Sequence, residues 1–179
     1  MLTEPLPTTL DVRKAAARGV SISGALKPLE LQRFRAMLAA DDGAIGAHLT
    51  FSRDEEGRYL IEVTADAQVT VTCQRCLEPM PVELHTSNML AVVWTDEQAR
   101  HLPKHLEPLI LDEEAGKLWE LVEDELVLGL PPYNYHERTD CNEVLVGLAA
   151  TEPEPAQEEA KPNPFDVLAQ LKPGEKNQE

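Results

Sequence analysis

Two of the three cysteines in this 179-residue chain stand three apart in Cys73-Gln-Arg-Cys76, and the third, Cys141, follows His136 by five positions. Three thiolates and one imidazole form a ligand set for a tetrahedral ion. Zn²⁺ is satisfied by soft sulfur and imidazole nitrogen, and a C-x-x-C turn can present two sulfurs to one ion. Cys73, Cys76, His136 and Cys141 are therefore the candidate metal centre, with zinc the metal that this chemistry favours. The competing reading has reduced thiols in strand-end turns and a fold held by ordinary burial. Spacing alone leaves both open, because 60 residues separate Cys76 from His136.

For these side chains to meet, the elements around them must end in one place. Ile45, Ala47, Leu49 and Phe51 alternate with smaller or polar residues, an Asp54-Glu-Glu-Gly57 turn follows, and Tyr59, Ile61, Val63 and Ala65 resume the alternation. That period predicts a β-hairpin with one buried face. Val69 and Val71 carry it into Cys73, and residues 82–94 read as the next strand beyond Pro79-Met-Pro81, so the C-x-x-C turn is expected to join two antiparallel strands. Over residues 112–128 the spacing becomes helical. Leu118, Leu121, Val122 and Leu126 fall on one face and Glu120, Glu123, Asp124 and Glu125 read as an exposed one, while the acids at 112–114 suit a helix start, where the peptide dipole favours negative charge. Gly129-Leu-Pro-Pro132 must stop this helix and release a loop carrying His136 and Cys141.

Upstream, the pattern predicts a short helix over residues 11–18, a strand over 20–26 and a helix over 28–40, with Pro28 in its first turn and Leu31, Phe34 and Leu38 as a buried stripe from which Arg33 and Arg35 point away. Helices flanking a run of hairpins give an α+β class, an antiparallel hairpin sheet or partly closed barrel. Residues 1–150 are expected to form a single domain. Residues 151–160 are acidic, proline-bearing and lack large apolar side chains, which predicts a flexible linker. Residues 161–179 then present Phe165, Leu168 and Leu171 on one face of a short helical motif, suited to docking on the domain or on a partner.

Catalytic patterns are sparse. A C-x-x-C redox site needs its first cysteine at a helix N-terminus in a βαβ unit, whereas strands flank this one. A cysteine hydrolase needs a thiol beside a histidine, and sequence places none of His85, His101, His105 or His136 against one. There is no Gly-rich phosphate loop, nucleophile elbow or paired nuclease carboxylate motif. The chain reads as a non-enzyme without a small-molecule substrate.

Charge narrows the partners. Residues 1–35 hold six basic residues against three acids, net +3, so that with −16 for the whole chain the remainder carries −19. Phosphate binding is driven by lysine and arginine displacing counterions, so most of this surface repels RNA. A local basic patch beside an acidic body instead allows RNA on one side and a basic protein on the other. Arg13, Lys14, Arg18, Arg33, Arg35 and Arg75 are the candidates for RNA phosphate. An odd cysteine count and an N-terminus without a basic end and apolar run imply a reducing, cytoplasmic setting, and the apolar run 89–94 is too short to cross a membrane.

Taken together in order, four segments resemble one family. They are the Cys73-Gln-Arg-Cys76 knuckle, the acidic helix Val122-Glu-Asp-Glu-Leu-Val-Leu-Gly-Leu-Pro131, the His136 to Cys141 loop and the tail Lys161-Pro-Asn-Pro-Phe-Asp-Val-Leu-Ala-Gln-Leu-Lys172, with Leu6-Pro-Thr-Thr-Leu-Asp11 as lead-in. The chain resembles the YceD-type large ribosomal RNA subunit accumulation proteins. The resemblance implies a bacterial cytoplasmic or chloroplast factor, non-enzymatic, needed for synthesis, processing or stability of 23S rRNA in large ribosomal subunit biogenesis. The implied partner is a 23S rRNA precursor or pre-50S particle, with a basic large-subunit ribosomal protein as a further candidate for the acidic body. Relatives with extra cysteines at the second position imply zinc, where this chain has His136 and Cys141. The alternative function is a thiol- or metal-dependent enzyme acting on rRNA precursors.

Overall fold

The computed structural model describes residues 4–112 and 115–142. In chain order these form β1 (Thr9–Asp11), α1 (Val12–Arg18), β2 (Ser21–Leu26), a 3₁₀ turn (Pro28–Glu30), α2 (Gln32–Arg35), β3 (Gly43–Arg53), β4 (Tyr59–Thr72), β5 (Pro79–Val93), α3 (Asp96–Arg100), β6 (Glu107–Ile110), β7 (Ala115–Lys117) and α4 (Leu118–Gly129). The class is α+β, with one mixed five-stranded sheet ordered β2-β3-β4-β5-β6 and a two-stranded antiparallel pair, β1-β7. No closed barrel forms among the described residues, because β2 and β6 remain the two edges of an open sheet. Among them no helix is long and apolar enough to cross a membrane.

The strict period-two pattern decides the long hairpins. In β3 and β4 the inward positions Ile45, Ala47, Leu49, Phe51, Ile61, Val63, Ala65, Ala67, Val69 and Val71 are all buried, whereas His48, Glu62, Asp66 and Gln68 on the other face are exposed. A slip of one residue would turn the whole apolar set to water, so the register is firmly specified. Helices α1 and α4 cover the buried face with Val12, Ala15 and Ala16 from one and Leu118, Leu121, Val122 and Leu126 from the other. Asp11 caps α1 by accepting from Lys14 N at 2.9 Å, and Gly19 ends it in the left-handed region at φ 63°.

Four expectations are corrected. The helix expected over 28–40 is a 3₁₀ turn followed by four α-helical residues; Leu31 and Phe34 are nevertheless buried, since a three-residue spacing keeps its face in either helix type. The helix expected from residue 112 begins at Leu118, because Ala115–Lys117 pairs with Thr9–Asp11 instead. The sheet is not wholly antiparallel: after β5 the chain crosses through α3 and returns as β6 parallel to it, with Leu90 opposite Glu107. A parallel return needs a connection of about a dozen residues, and this helix-bearing one supplies it. Finally, Glu123 and Glu125 are buried, 6% and 8% exposed, rather than part of a solvated face. Glu123 accepts from the backbone N–H groups of Arg33 (2.6 Å) and Phe34 (3.2 Å), the unpaired donors at the start of α2, which has no side-chain cap of its own. Asn88 donates to Glu125 at 3.1 Å and to Glu107 at 2.7 Å.

The lead-in closes the domain's edge. Ala25 N donates to Glu4 O at 2.8 Å, and the Trp119 indole donates to Leu6 O at 2.9 Å. Gly24 is required here, because a Cβ would strike the Leu6 backbone. The expected linker 151–160 and docking motif 161–179 lie outside the described residues.

Candidate functional site

β4 ends at Thr72 opposite Pro79, the first residue of β5, so residues 73–78 form the loop of this antiparallel pair and carry the knuckle. Its turn is closed from within: Leu77 N donates to Cys73 O at 2.8 Å and Cys73 N to Glu78 O at 2.9 Å, with Leu77 in the left-handed region at φ 63°. A non-glycine residue there is uncommon and is held by the surrounding bonds. The segment after α4 docks alongside, where Gln74 N donates to Asn134 O at 2.8 Å and the Arg75 guanidinium donates to Arg138 O at 2.8 Å. Arg75 also lies over the Tyr135 ring at 5.2 Å.

These bonds bring together the ligand set expected from sequence. One donor atom each from Cys73, Cys76, His136 and Cys141 all lie within 4.8 Å of one another. Sγ of Cys73 and Cys141 are 4.0 Å apart, and Cys76 Sγ is 3.4 Å from His136 Nδ1. A tetrahedral zinc with ordinary bond lengths demands about 3.8 Å between two sulfurs and about 3.6 Å between sulfur and nitrogen. These two separations are close to those edges, and the group could hold a metal ion.

The electrostatics suit a cation. Burial opposes ionisation of Cys73, but N–H groups of Cys76, His136 and Arg75, with the Cys76 side chain, outweigh it and bring the thiol down to about 5. The Glu78 N–H favours the Cys76 thiolate, yet burial and the sulfurs of Cys73 and Cys141 push this thiol up. Sulfurs crowded this closely resist sharing negative charge unless a cation lies between them. Arg75 adds a donor to Cys141 Sγ at 3.5 Å. Cys73 is fully buried and the other three ligands are half-buried.

The family model for YceD, described as large ribosomal RNA subunit accumulation protein YceD, matches residues 61–172, which include every candidate ligand. The Large ribosomal RNA subunit accumulation protein YceD of Haemophilus influenzae is 32% identical over 172 residues, covering 93% of this chain and 96% of that protein. The chain belongs to the YceD family. No solved structure matches it.

Several of the six basic candidates in this YceD-family chain already face carboxylates. Arg33 is bound to Glu123 at 2.9 Å and to Asp124 at 2.6 Å, and Arg35 to Asp41 at 2.6 Å. Lys14 pairs with Asp11 at 2.8 Å, Arg18 is exposed in the last turn of α1, and Arg75 belongs to the knuckle. Arg13 lies 4.3 Å from the centre of the Trp94 ring, a residue that the sequence reading had treated only as the end of a strand. Burial of Glu123 was equally missed, because the Arg33 that neutralises it is 90 positions away. Phe165, Leu168 and Leu171 lie outside the described residues.

Proposed function

We propose that this protein is a non-enzymatic factor in the synthesis, processing or stability of 23S rRNA, acting in the cytoplasm on a 23S precursor or pre-50S particle. Its Cys73, Cys76, His136 and Cys141 centre is a structural zinc site that pins the segment after α4 to the β4–β5 loop. Family membership across 93% of the chain carries the reading. The ligand geometry supports it. Four protein donors lie close enough to fill a tetrahedral shell, as in structural zinc sites, whereas catalytic zinc keeps a position open for water or substrate. The enzyme alternative gains nothing from the thiols, since Cys73, the one brought down to about 5, is fully buried. The acidic body is offered to a basic large-subunit ribosomal protein, and the tail motif of Phe165, Leu168 and Leu171 to a groove on the particle or the domain.

The test is co-sedimentation with pre-50S particles through a sucrose gradient, for wild type and Cys76→Ser. Wild type is expected to travel with the particle without altering its rRNA over time, and Cys76→Ser to lose both zinc and part of that association. A wild-type protein that stays at the top of the gradient, or that cleaves precursor rRNA catalytically, overturns the proposal. Removal of residues 161–179 locates the groove: lost thermal stability places it on the domain, and lost particle association at unchanged stability places it on the particle.

A further inference from the structure

Large apolar side chains are left in water mainly at the knuckle end of the domain. Among the described residues seven are exposed, and four of these, Leu77, Leu128, Tyr133 and Tyr135, belong to the knuckle loop or to the stretch from the last turn of α4 to His136. Leu128 (76%), Leu77 (72%) and Tyr133 (70%) are the most exposed of the seven. The loop and the stretch run side by side in register. Gln74 N donates to Asn134 O at 2.8 Å, Arg75 lies over the Tyr135 ring at 5.2 Å, and Cys76 Sγ is 3.4 Å from His136 Nδ1. Leu77 follows Cys76 and Tyr133 precedes Asn134, so the two bracket this pairing. Apolar residues scattered singly over a surface are ordinary, whereas a group of them marks a place where something docks.

Leu77 carries a second, independent mark. Among the described residues it alone, apart from glycines, has a positive φ, 63°. Glycine adopts that conformation freely, while a leucine there strains the backbone. Burial of its side chain does not offset the strain, because that side chain stands in water. Within its own domain this leucine therefore costs stability and returns none, and a contact outside the domain accounts for it.

We infer that this end of the domain docks, with Leu77 and Tyr133 as anchors, into an apolar groove on a basic protein. Charge selects that occupant. Glu78, Glu137 and Asp140 are exposed around the anchors, and Asp140 has Arg138 at 4.0 Å while neither Glu78 nor Glu137 is ion-paired. Arg75 is spent inside the site, donating to Arg138 O and to Cys141 Sγ. With −19 on the chain beyond residue 35, phosphate is repelled here and lysines or arginines around a groove are attracted. Apolar anchors within a charged rim are the anatomy of a protein–protein contact. The inference rests on the proposed role in 23S rRNA accumulation and names the surface by which a large-subunit protein is met.

The experiment passes the total protein of the large ribosomal subunit, extracted free of rRNA, over immobilised full-length protein and identifies what is retained by mass spectrometry. Wild type is expected to retain a basic ribosomal protein, and Leu77→Gly and Tyr133→Ser each to retain roughly tenfold less of it. Ile110→Ser removes an exposed apolar side chain opposite Val93, at the far end of β5 from the knuckle, and should retain as much as wild type. Because glycine suits the backbone at 77, Leu77→Gly should melt no more than about 3 °C below wild type. A larger fall makes Leu77 a packing residue and overturns the inference. So does retention of nothing or of acidic proteins only, equal retention by Leu77→Gly, or binding of protein-free 23S rRNA that Leu77→Gly weakens to the same degree. Co-sedimentation with pre-50S particles, run on the same variants, separates the two ideas. A wild type that travels with the particle but retains no free protein loses this surface and keeps its function; one that retains the basic protein but never travels with the particle keeps the surface and loses the function.

Discussion

Replacing Glu123 with alanine removes a carboxylate that holds α2 onto α4 from the side. In the wild type it accepts from Arg33 N at 2.6 Å, Phe34 N at 3.2 Å and Arg33 Nε at 2.9 Å, at a position 6% exposed. Loss of an N-terminal cap costs about 1 kcal/mol, and loss of a charge-assisted bond about 1.5–3 kcal/mol. Some of the released guanidinium is recovered by Asp124, which binds Arg33 at 2.6 Å, so the sum expected for Glu123→Ala is about 3 kcal/mol. For a domain of this size that lowers Tm by roughly 10 °C. Glu123→Gln keeps an acceptor for the two backbone donors and loses only the charge, so about 1 kcal/mol is expected. Glu120→Ala is the control: its carboxylate is 59% exposed beside Lys117, and such pairs contribute about 0.5 kcal/mol. Urea unfolding followed by far-UV circular dichroism at pH 7 measures all three. Equal losses for Glu123→Ala and Glu120→Ala, or a Glu123→Ala loss below about 1 kcal/mol, would refute capping of α2 by α4.

The metal centre predicts one zinc per chain by elemental analysis, with a fall in Tm on chelation in wild type and little further fall in Cys76→Ser or His136→Ala. Cobalt uptake should give thiolate-to-metal charge-transfer bands that both variants lose. Glu125, held above the ordinary carboxylate range by burial and by the charges of Glu107 and Asp124 against the opposing bond from Asn88, predicts a pH effect. The folded state keeps its proton to higher pH than the unfolded one, so this group's stabilisation is greatest below the ordinary Glu value and is lost as pH rises through the raised one. Glu125→Gln should therefore raise Tm at pH 7 and converge with wild type near about pH 4. Gly24→Ala drives a methyl group into the Leu6 backbone and should cost about 1–3 kcal/mol, with faster proteolysis of the lead-in segment as its separate signature.

What the sequence disclosed follows from which interactions are local. The hairpins from Gly43 to Val93 were legible because their alternation runs over many residues and tolerates one register only. The knuckle was legible as a turn between two strands, although β5 begins at Pro79 rather than at residue 82, and its meeting with His136 and Cys141 was suggested by ligand chemistry while spacing left it open. β6 was not legible: its four residues include Pro108, tolerated because the strand is at an edge, and its partner is chosen by the crossover and not by its own pattern. Acidic residues on α4 looked solvated because side-chain type reports the cost of burial, while the Arg33 and Asn88 that offset it are supplied by distant segments. The same blindness covers the basic residues, since charge counts do not show which cations already face a carboxylate.

The two halves of the candidate metal centre are 60 residues apart, with β5, α3, β6, β7 and α4 strung between them. We expect a loop of that length to close after the intervening strands and helix have packed, with all four ligands assembling late on the folding route. An ion that needs the complete set cannot help the chain over its main barrier. On the proposed zinc reading, an ion would bind behind that barrier and would have to be shed, or the docked segment torn from the knuckle, before the domain opens. Metal loading should therefore lengthen the lifetime of the native state by slowing its unfolding while leaving the rate of refolding nearly untouched, making the ion a latch set after the door has shut.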